Sequence, residues 1–270
     1  MTRLIMLQVY TPLRYGTPKP CPPYVCSRAR GALQPCPPVA SHAPIELPAR
    51  PGPHPRFLQA SGRAVLFDLD GTLVDSFHLL TAAFAHALRQ VLGREPTEQE
   101  LHRNWGAPLR LRAAAVAPEQ AAEVVRLYER YYEQHQEAIK PFPGIPELLR
   151  ALRHDGFRLA VVTSKSRHRA LFTLQACRIL HLFDRVICEE DAPRPKPAPE
   201  PVYQALRCLR APVRKTWMVG DAPIDILAAR AAGVRTVAAL WGTRERDAVL
   251  ALRPDYIASL PSDVLKAVRG

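Results

Sequence analysis

From Arg63 onward, short apolar runs alternate with longer amphipathic stretches, and this alternation leaves few folds open. Runs at 64–68, 157–163, 185–189, 216–220 and 235–240 are strand-like in length and composition. Stretches at 145–154, 167–177, 199–210 and 223–232 repeat their apolar residues at helical spacing. Strands that alternate with helices imply parallel βαβ units, whose crossovers cover both faces of a sheet. The expected fold class is therefore α/β, a doubly wound parallel Rossmann-like sheet. Gly144 marks a turn, and Gly156 and Gly233 sit where helices should stop.

One segment breaks the alternation. Between about His78 and Ile139 the pattern is almost wholly helical, with Phe84, Ala87, Leu88, Val91 and Leu92 on one stripe and Val124, Leu127, Tyr128, Tyr131 and Tyr132 on another. Pro96, Pro108 and Pro118 mark helix starts or breaks. The segment reads as a helical insertion between the first and second strands, and Lys140-Pro141-Phe142-Pro143-Gly144 as its stiff, hinge-like outlet. Core packing is the simplest reading of the tyrosine stripe.

Ahead of this region, residues 1–60 hold thirteen prolines and no helical or strand period. Such a stretch cannot bury enough apolar area to offset its ordering entropy. It is expected to be a disordered tail or mis-called upstream sequence. It carries half of the formal net charge of +12, because seven Arg and Lys residues face only Glu46. No nucleic-acid motif accompanies that charge, no apolar run approaches the ~20 residues of a membrane span, and no secretory h-region is present. Cys21, Cys26, Cys36, Cys177, Cys188 and Cys208 form neither a CxxC pair nor a zinc spacing. A cytoplasmic protein is expected, with buried thiols at the last three positions.

Four motifs carry chemistry. The first strand runs into Asp68-Leu69-Asp70-Gly71-Thr72, where two carboxylates two residues apart share one side of the chain. Such a pair packs poorly but suits a divalent cation and acid–base work. Thr163-Ser164-Lys165 ends the second strand, where a hydroxyl and backbone N–H groups can hold phosphate oxygens, or where a serine caps the next helix. Lys196 lies in Arg194-Pro195-Lys196-Pro197-Ala198-Pro199, whose prolines restrict its wandering. Asp221 leaves the fourth strand and Asp225 begins the next helix, adding two acids to the same sheet edge. Arg103, Arg110 and Arg112 flank Gly106-Ala107-Pro108-Leu109 in the insertion.

In order and spacing, these motifs resemble the haloacid dehalogenase-like superfamily from about Arg63 to the C-terminus. Gly106–Leu109, Phe142-Pro143-Gly144, the frame at 196–202 and Pro254-Asp255-Tyr256 are similar to its phosphoglycolate phosphatase and pyrophosphatase branch. Ala222 and Arg178 depart from it, standing where Ser or Asn and Gly are frequent. The resemblance implies a catalytic core at 61–80 and 142–270 and a helical cap at 81–141. It implies Asp68 as nucleophile, Asp70 as general acid and base, and Mg²⁺ held by Asp68, the Asp70 carbonyl and Asp221, with Asp225 acting through water. Thr163, Ser164 and Lys196 would bind the phosphoryl group. From their place around the Gly106–Leu109 loop, one of Arg103, Arg110 and Arg112 is expected to read a second anionic group, with Arg110 the chosen candidate. Asp70 argues against carbon–halogen cleavage, which needs no protonated leaving oxygen. The implied activity is a Mg²⁺-dependent phosphatase for a small phosphorylated metabolite, of phosphoglycolate phosphatase type. An inorganic pyrophosphatase and a phosphosugar mutase stay open, and a non-catalytic binding protein is disfavoured. Neither nucleic acid nor membrane is an expected partner, and the chain is expected to be a monomer or homodimer.

Overall fold

The computed structural model describes residues 62–270, so the expected tail lies outside the described residues. The strands are β1 (Ala64–Phe67), β2 (Val74–Asp75), β3 (Lys140–Pro141), β4 (Arg158–Val162), β5 (Arg185–Ile187), β6 (Thr216–Gly220), β7 (Arg235–Ala239) and β8 (Tyr256–Ala258). The helices are α1 (Phe77–Leu92), α2 (Glu98–His102), α3 (Leu109–Val116), α4 (Ala121–His135), α5 (Ile145–His154), α6 (Arg167–Ala176), α7 (Glu200–Leu209), α8 (Pro223–Ala231), α9 (Arg246–Ala251) and α10 (Asp263–Arg269).

Six strands form one parallel sheet in the order β5-β4-β1-β6-β7-β8. Every residue of β1 is buried, as a strand covered on both faces requires. Alternate residues serve opposite layers. Val65, Phe67, Leu159, Val161 and Val219 join the apolar cluster on one face, while Ala64, Leu66, Ala160, Val162 and Met218 join the other. Each fully buried Val, Leu or Phe side chain contributes about 1.5–3 kcal/mol. Helix α5 shows the matching helical logic: Ile145, Leu148, Leu149 and Leu152 are buried and lie on one stripe. Chain order reverses at β1, with β4 on one side and β6 on the other. Open α/β sheets bind their ligands in the crevice at the carboxyl ends of strands around such a reversal.

The insertion is built mainly from α1 packed against α4, with α3 beside α4. Phe84 of α1 meets Tyr128 of α4 edge to face, at 6.5 Å between centroids. Its expected boundary at 81 falls inside α1, which runs unbroken from Phe77. The two connections between core and insertion pair with each other: Val74 opposes Pro141 and Asp75 opposes Lys140 in the antiparallel β2–β3 ribbon. The inlet and outlet therefore form one joint. Strand β8 and helices α9 and α10 are not in the sequence-based expectation; they are short and weakly patterned. Among the described residues, no helix is long and apolar enough to cross a membrane.

Candidate active site

Asp68 follows β1 directly, and its backbone N–H donates to the Val219 carbonyl (2.9 Å), which ties it to β6. Lys196, buried in its proline-framed loop, brings three elements together. Its Nζ donates to Asp68 Oδ1 (2.6 Å), Asp225 Oδ1 (2.6 Å) and the Val162 carbonyl (3.0 Å). Asp225 also accepts from the Ala222 N–H through Oδ2 (3.1 Å), so it caps α8 and meets Lys196 at once. Asp221 accepts from the Thr72 hydroxyl through Oδ1 (2.9 Å). Carboxylate oxygens of Asp68, Asp221 and Asp225 lie within 4.8 Å of one another.

This cluster is short of positive charge. Of the three buried carboxylates, Asp68 and Asp225 are bonded to Lys196, and no other side-chain cation is bonded to the cluster among the described residues. Burial pushes Asp68 up to about 7; Lys196 opposes the rise and Asp225 adds to it. Asp221 is driven well above the usual carboxylate range by burial, then by Asp68 and Asp225. Burial by itself would lower Lys196, but Asp225 and Asp68 outweigh it and hold the ammonium protonated. A donor set of hard oxygens with unneutralised negative charge fits a divalent cation such as Mg²⁺.

The Asp70 carboxylate stands apart from that cluster. Its Oδ1 accepts from Ser76 Oγ (2.6 Å) and from Lys165 Nζ (2.7 Å). Lys165 is buried, and Asp70 reverses the lowering that burial would impose on its ammonium. Nothing local in the sequence connects Lys165 to a residue 95 positions away, so its spacing carries no sign of this role. The tight course of the chain after Asp70 depends on Gly71 (φ +90°), where a Cβ would lie 2.3 Å from Asp221 Oδ2. Trp241 holds this turn from the far side, donating through Nε1 to the Thr72 carbonyl (2.9 Å). Thr72 belongs to the first motif, whereas no sequence signal marks Trp241.

Asp68, Asp70, Thr163, Ser164, Lys196, Asp221 and Asp225 all line one cavity of about 70 Å³ between the sheet edge and the insertion. Thr163 Oγ1 accepts from the Lys165 N–H (3.1 Å). The Ser164 hydroxyl is buried without a hydrogen-bond partner, and Ser166, at the start of α6, makes no side-chain cap bond. The serine-cap alternative therefore fails at both positions.

Arg110 does not line this cavity. It is exposed and pairs through Nε with Glu189 of the core (2.5 Å). Arg112, two residues on, is the cavity's arginine from the insertion, because one helical face of α3 turns inward. Its guanidinium lies between the rings of Phe84 (4.4 Å) and Trp105 (4.7 Å) and donates from Nη2 to the Leu101 carbonyl (2.8 Å). Nε has no partner, and no carboxylate pairs with it among the described residues. Burial lowers it to about 10, which leaves it charged near neutral pH. Arg169 of α6 also lines the cavity and is buried. The tyrosine stripe packs as expected but also closes the cavity: Tyr128 forms part of its wall, and Tyr132 bonds Thr173 of the core (2.7 Å). The loop over the cavity depends on Gly106 (φ +80°), where a Cβ would come within 2.8 Å of Ile224 Cδ1.

Comparison with known proteins agrees with this geometry. Residues 65–239 match the family model of haloacid dehalogenase-like hydrolases. The chain is 34% identical over 202 residues to Pyrophosphatase PpaX of Anoxybacillus flavithermus, covering 74% of this chain and 94% of that protein. It is 33% identical over 205 residues to Pyrophosphatase PpaX of Halalkalibacterium halodurans, covering 76% and 95%. Among solved structures, a "predicted phosphoglycolate phosphatase" from Haemophilus somnus superposes with a TM-score of 0.68 at 29% identity, covering 76% of this chain and 97% of that one. A haloacid dehalogenase-like hydrolase from Streptococcus pneumoniae superposes with a TM-score of 0.67 at 30% identity, covering 76% and 97%. The order of the motifs, the sheet that gathers them and these similarities make this chain a member of the haloacid dehalogenase-like hydrolases.

Proposed function

We propose that the protein is a Mg²⁺-dependent phosphohydrolase for a small substrate with a second anionic group, of phosphoglycolate phosphatase type, working through an aspartyl-phosphate on Asp68. The carrying observation is the division of the two acids: Asp68 is bonded to Lys196 inside the carboxylate cluster, while Asp70 is held separately by Ser76 and Lys165. In the first step an Asp68 oxygen attacks phosphorus, the bond to the leaving oxygen breaks, and Asp70 delivers the proton that oxygen needs. In the second, Asp70 takes a proton from water, which attacks the same phosphorus, releasing phosphate and restoring Asp68. Proton transfer of this kind contributes typically ~10²–10⁴-fold. Asp68, Asp221, Asp225 and the Asp70 carbonyl would hold Mg²⁺, whose chemistry is neutralisation of phosphate charge. Lys196, Thr163 and the unpartnered Ser164 hydroxyl are the phosphate-binding groups of this reading.

Two further observations support the substrate class. The cavity of about 70 Å³ is small. A buried cation without an ionic partner is costly unless its ligand supplies the anion, and Arg112 is such a cation. The curated relatives named as pyrophosphatases favour a second reading, inorganic pyrophosphate, which is equally small and also anionic at both ends.

The deciding experiment measures phosphate release from phosphoglycolate, pyrophosphate and sugar phosphates, with and without Mg²⁺. Metal-dependent release that vanishes in Asp68→Asn is expected. Isomer formation from a sugar phosphate without phosphate release, or full activity in Asp68→Asn, overturns the reading.

A further inference from the structure

The two rims of the sheet differ sharply in charge. At the carboxyl ends, carboxylates crowd together. At the amino ends lies a second cleft, of about 380 Å³, whose charged side chains are Arg63, Arg214, Lys215, Arg235 and Arg269; Phe157, Trp217, Val268 and Gly270, with the carboxylate it carries in this chain, complete its wall. These residues come from the chain just before β1, the turn ahead of β6, the first residue of β7 and the last turn of α10. The fold, not local sequence, gathers them.

Two of the cations are held in place by buried aromatic rings. The Arg63 guanidinium lies 4.2 Å over Phe157, and Arg63 Nη2 donates to the Asp155 carbonyl (3.1 Å). The Arg235 guanidinium lies 4.8 Å over Trp217, and Arg235 Nη2 donates to the Arg214 carbonyl (3.2 Å). A stacked, tethered guanidinium loses little further freedom when it binds an anion. Arg269 pairs with Asp155 (2.8 Å). Arg214 and Lys215 are exposed and form no ion pair among the described residues. Compensation of a helix dipole accounts for Arg269 at the end of α10. It does not account for Arg63 and Arg235, which lie at the starts of strands.

We propose that this cleft is a binding site for a small polyanion carrying two or more linked phosphate groups, such as a nucleotide or inorganic polyphosphate. Its volume falls within the roughly 300–1,000 Å³ of small-molecule sites. Planar guanidinium forks match phosphate oxygens two at a time. The site lies at the opposite rim from Asp68, and its assignment is independent of the reaction at Asp68.

The test is titration calorimetry of the full chain in EDTA, which prevents metal-dependent turnover, with inorganic triphosphate and with ATP as probes. The comparison is with the double variant Arg214→Glu/Lys215→Glu, whose two positions are exposed and outside the catalytic cavity. Wild type should bind both probes, and the double variant about tenfold or more weakly. That variant should keep its melting temperature and its phosphate release from small esters. Equal affinity for triphosphate and ATP assigns recognition to the phosphate chain; tighter binding of ATP adds a nucleoside contact to it. Failure of wild type to bind either probe overturns the proposal, and so does undiminished binding by the double variant.

Discussion

At the level of single residues, the site is governed by where charge is and is not compensated. Asp68 and Asp221 are raised in the cluster, so without a cation the folded protein keeps protons that the unfolded chain, with Asp near 3.9, has released. Stability from this source is fully present below about pH 4 and is lost as the pH rises through the Asp68 value of about 7. Melting temperatures in EDTA should therefore fall between pH 5 and pH 8, and added Mg²⁺ should raise them more at pH 8 than at pH 5, where protons compete for the same oxygens. Arg112 supplies a second prediction. Arg112→Met removes an unpartnered buried charge, so the fold should be kept, while KM for phosphoglycolate or pyrophosphate should rise about tenfold to a hundredfold. Hydrolysis of a singly anchored aryl phosphate should change little, and equal loss on all substrates would refute a specificity role. Lys165 acts through Asp70: Lys165→Met should lower kcat about a hundredfold with a smaller effect on KM, visible in steady-state kinetics.

At the level of elements, turns decide how closely the pieces approach. Gly106 lets the insertion's loop settle on Ile224 at the start of α8. Gly106→Val should strain the φ +80° backbone and hold the loop off the core, raising KM in steady-state kinetics and lowering stability by about 1–2 kcal/mol in denaturant titration. Arg178 presents the opposite case. It follows α6 with φ +56°, in the left-handed region that costs an L-residue about 1–2 kcal/mol. The family's more frequent glycine avoids that strain, and Arg178→Gly should stabilise the fold by about 0.5–1 kcal/mol in denaturant titration after the flexibility glycine adds to the unfolded chain. The exposed Arg110–Glu189 pair joins the insertion to the core, and pairs of this kind are worth about 0–1 kcal/mol. Arg110 thus links the insertion to the core from outside the cavity lining.

For the molecule as a whole, residues 1–60 stand outside the family match, which begins at residue 65. The curated relative from Anoxybacillus flavithermus is covered over 94% of its length by only 74% of this chain. A chain beginning at Ser61 should keep full activity and melting temperature; loss of either would assign those residues a structural or catalytic part. Much of the rest was legible beforehand. Short apolar runs and helical stripes specify the parallel sheet because burial on both faces needs continuous apolar residues, and Asp68, Asp70, Lys196, Asp221 and Asp225 stand out because acids and a proline-framed lysine beside strand ends have little structural use. The order of strands about β1 decided which of these groups meet. Contacts between residues distant in sequence leave no local periodicity: Lys165 reaches Asp70, Trp241 pins Thr72, and five cations gather at the far rim. Two residues along one helix, likewise, separate Arg110 at the surface from Arg112 in the cavity. The sequence by itself determined five of the six strands of the sheet, the helices between them and the carboxylates and lysine of the cluster, through short-range periodicity and chemical type; their partners were decided only by the tertiary structure, because packing in three dimensions sets distances that spacing along the chain does not encode.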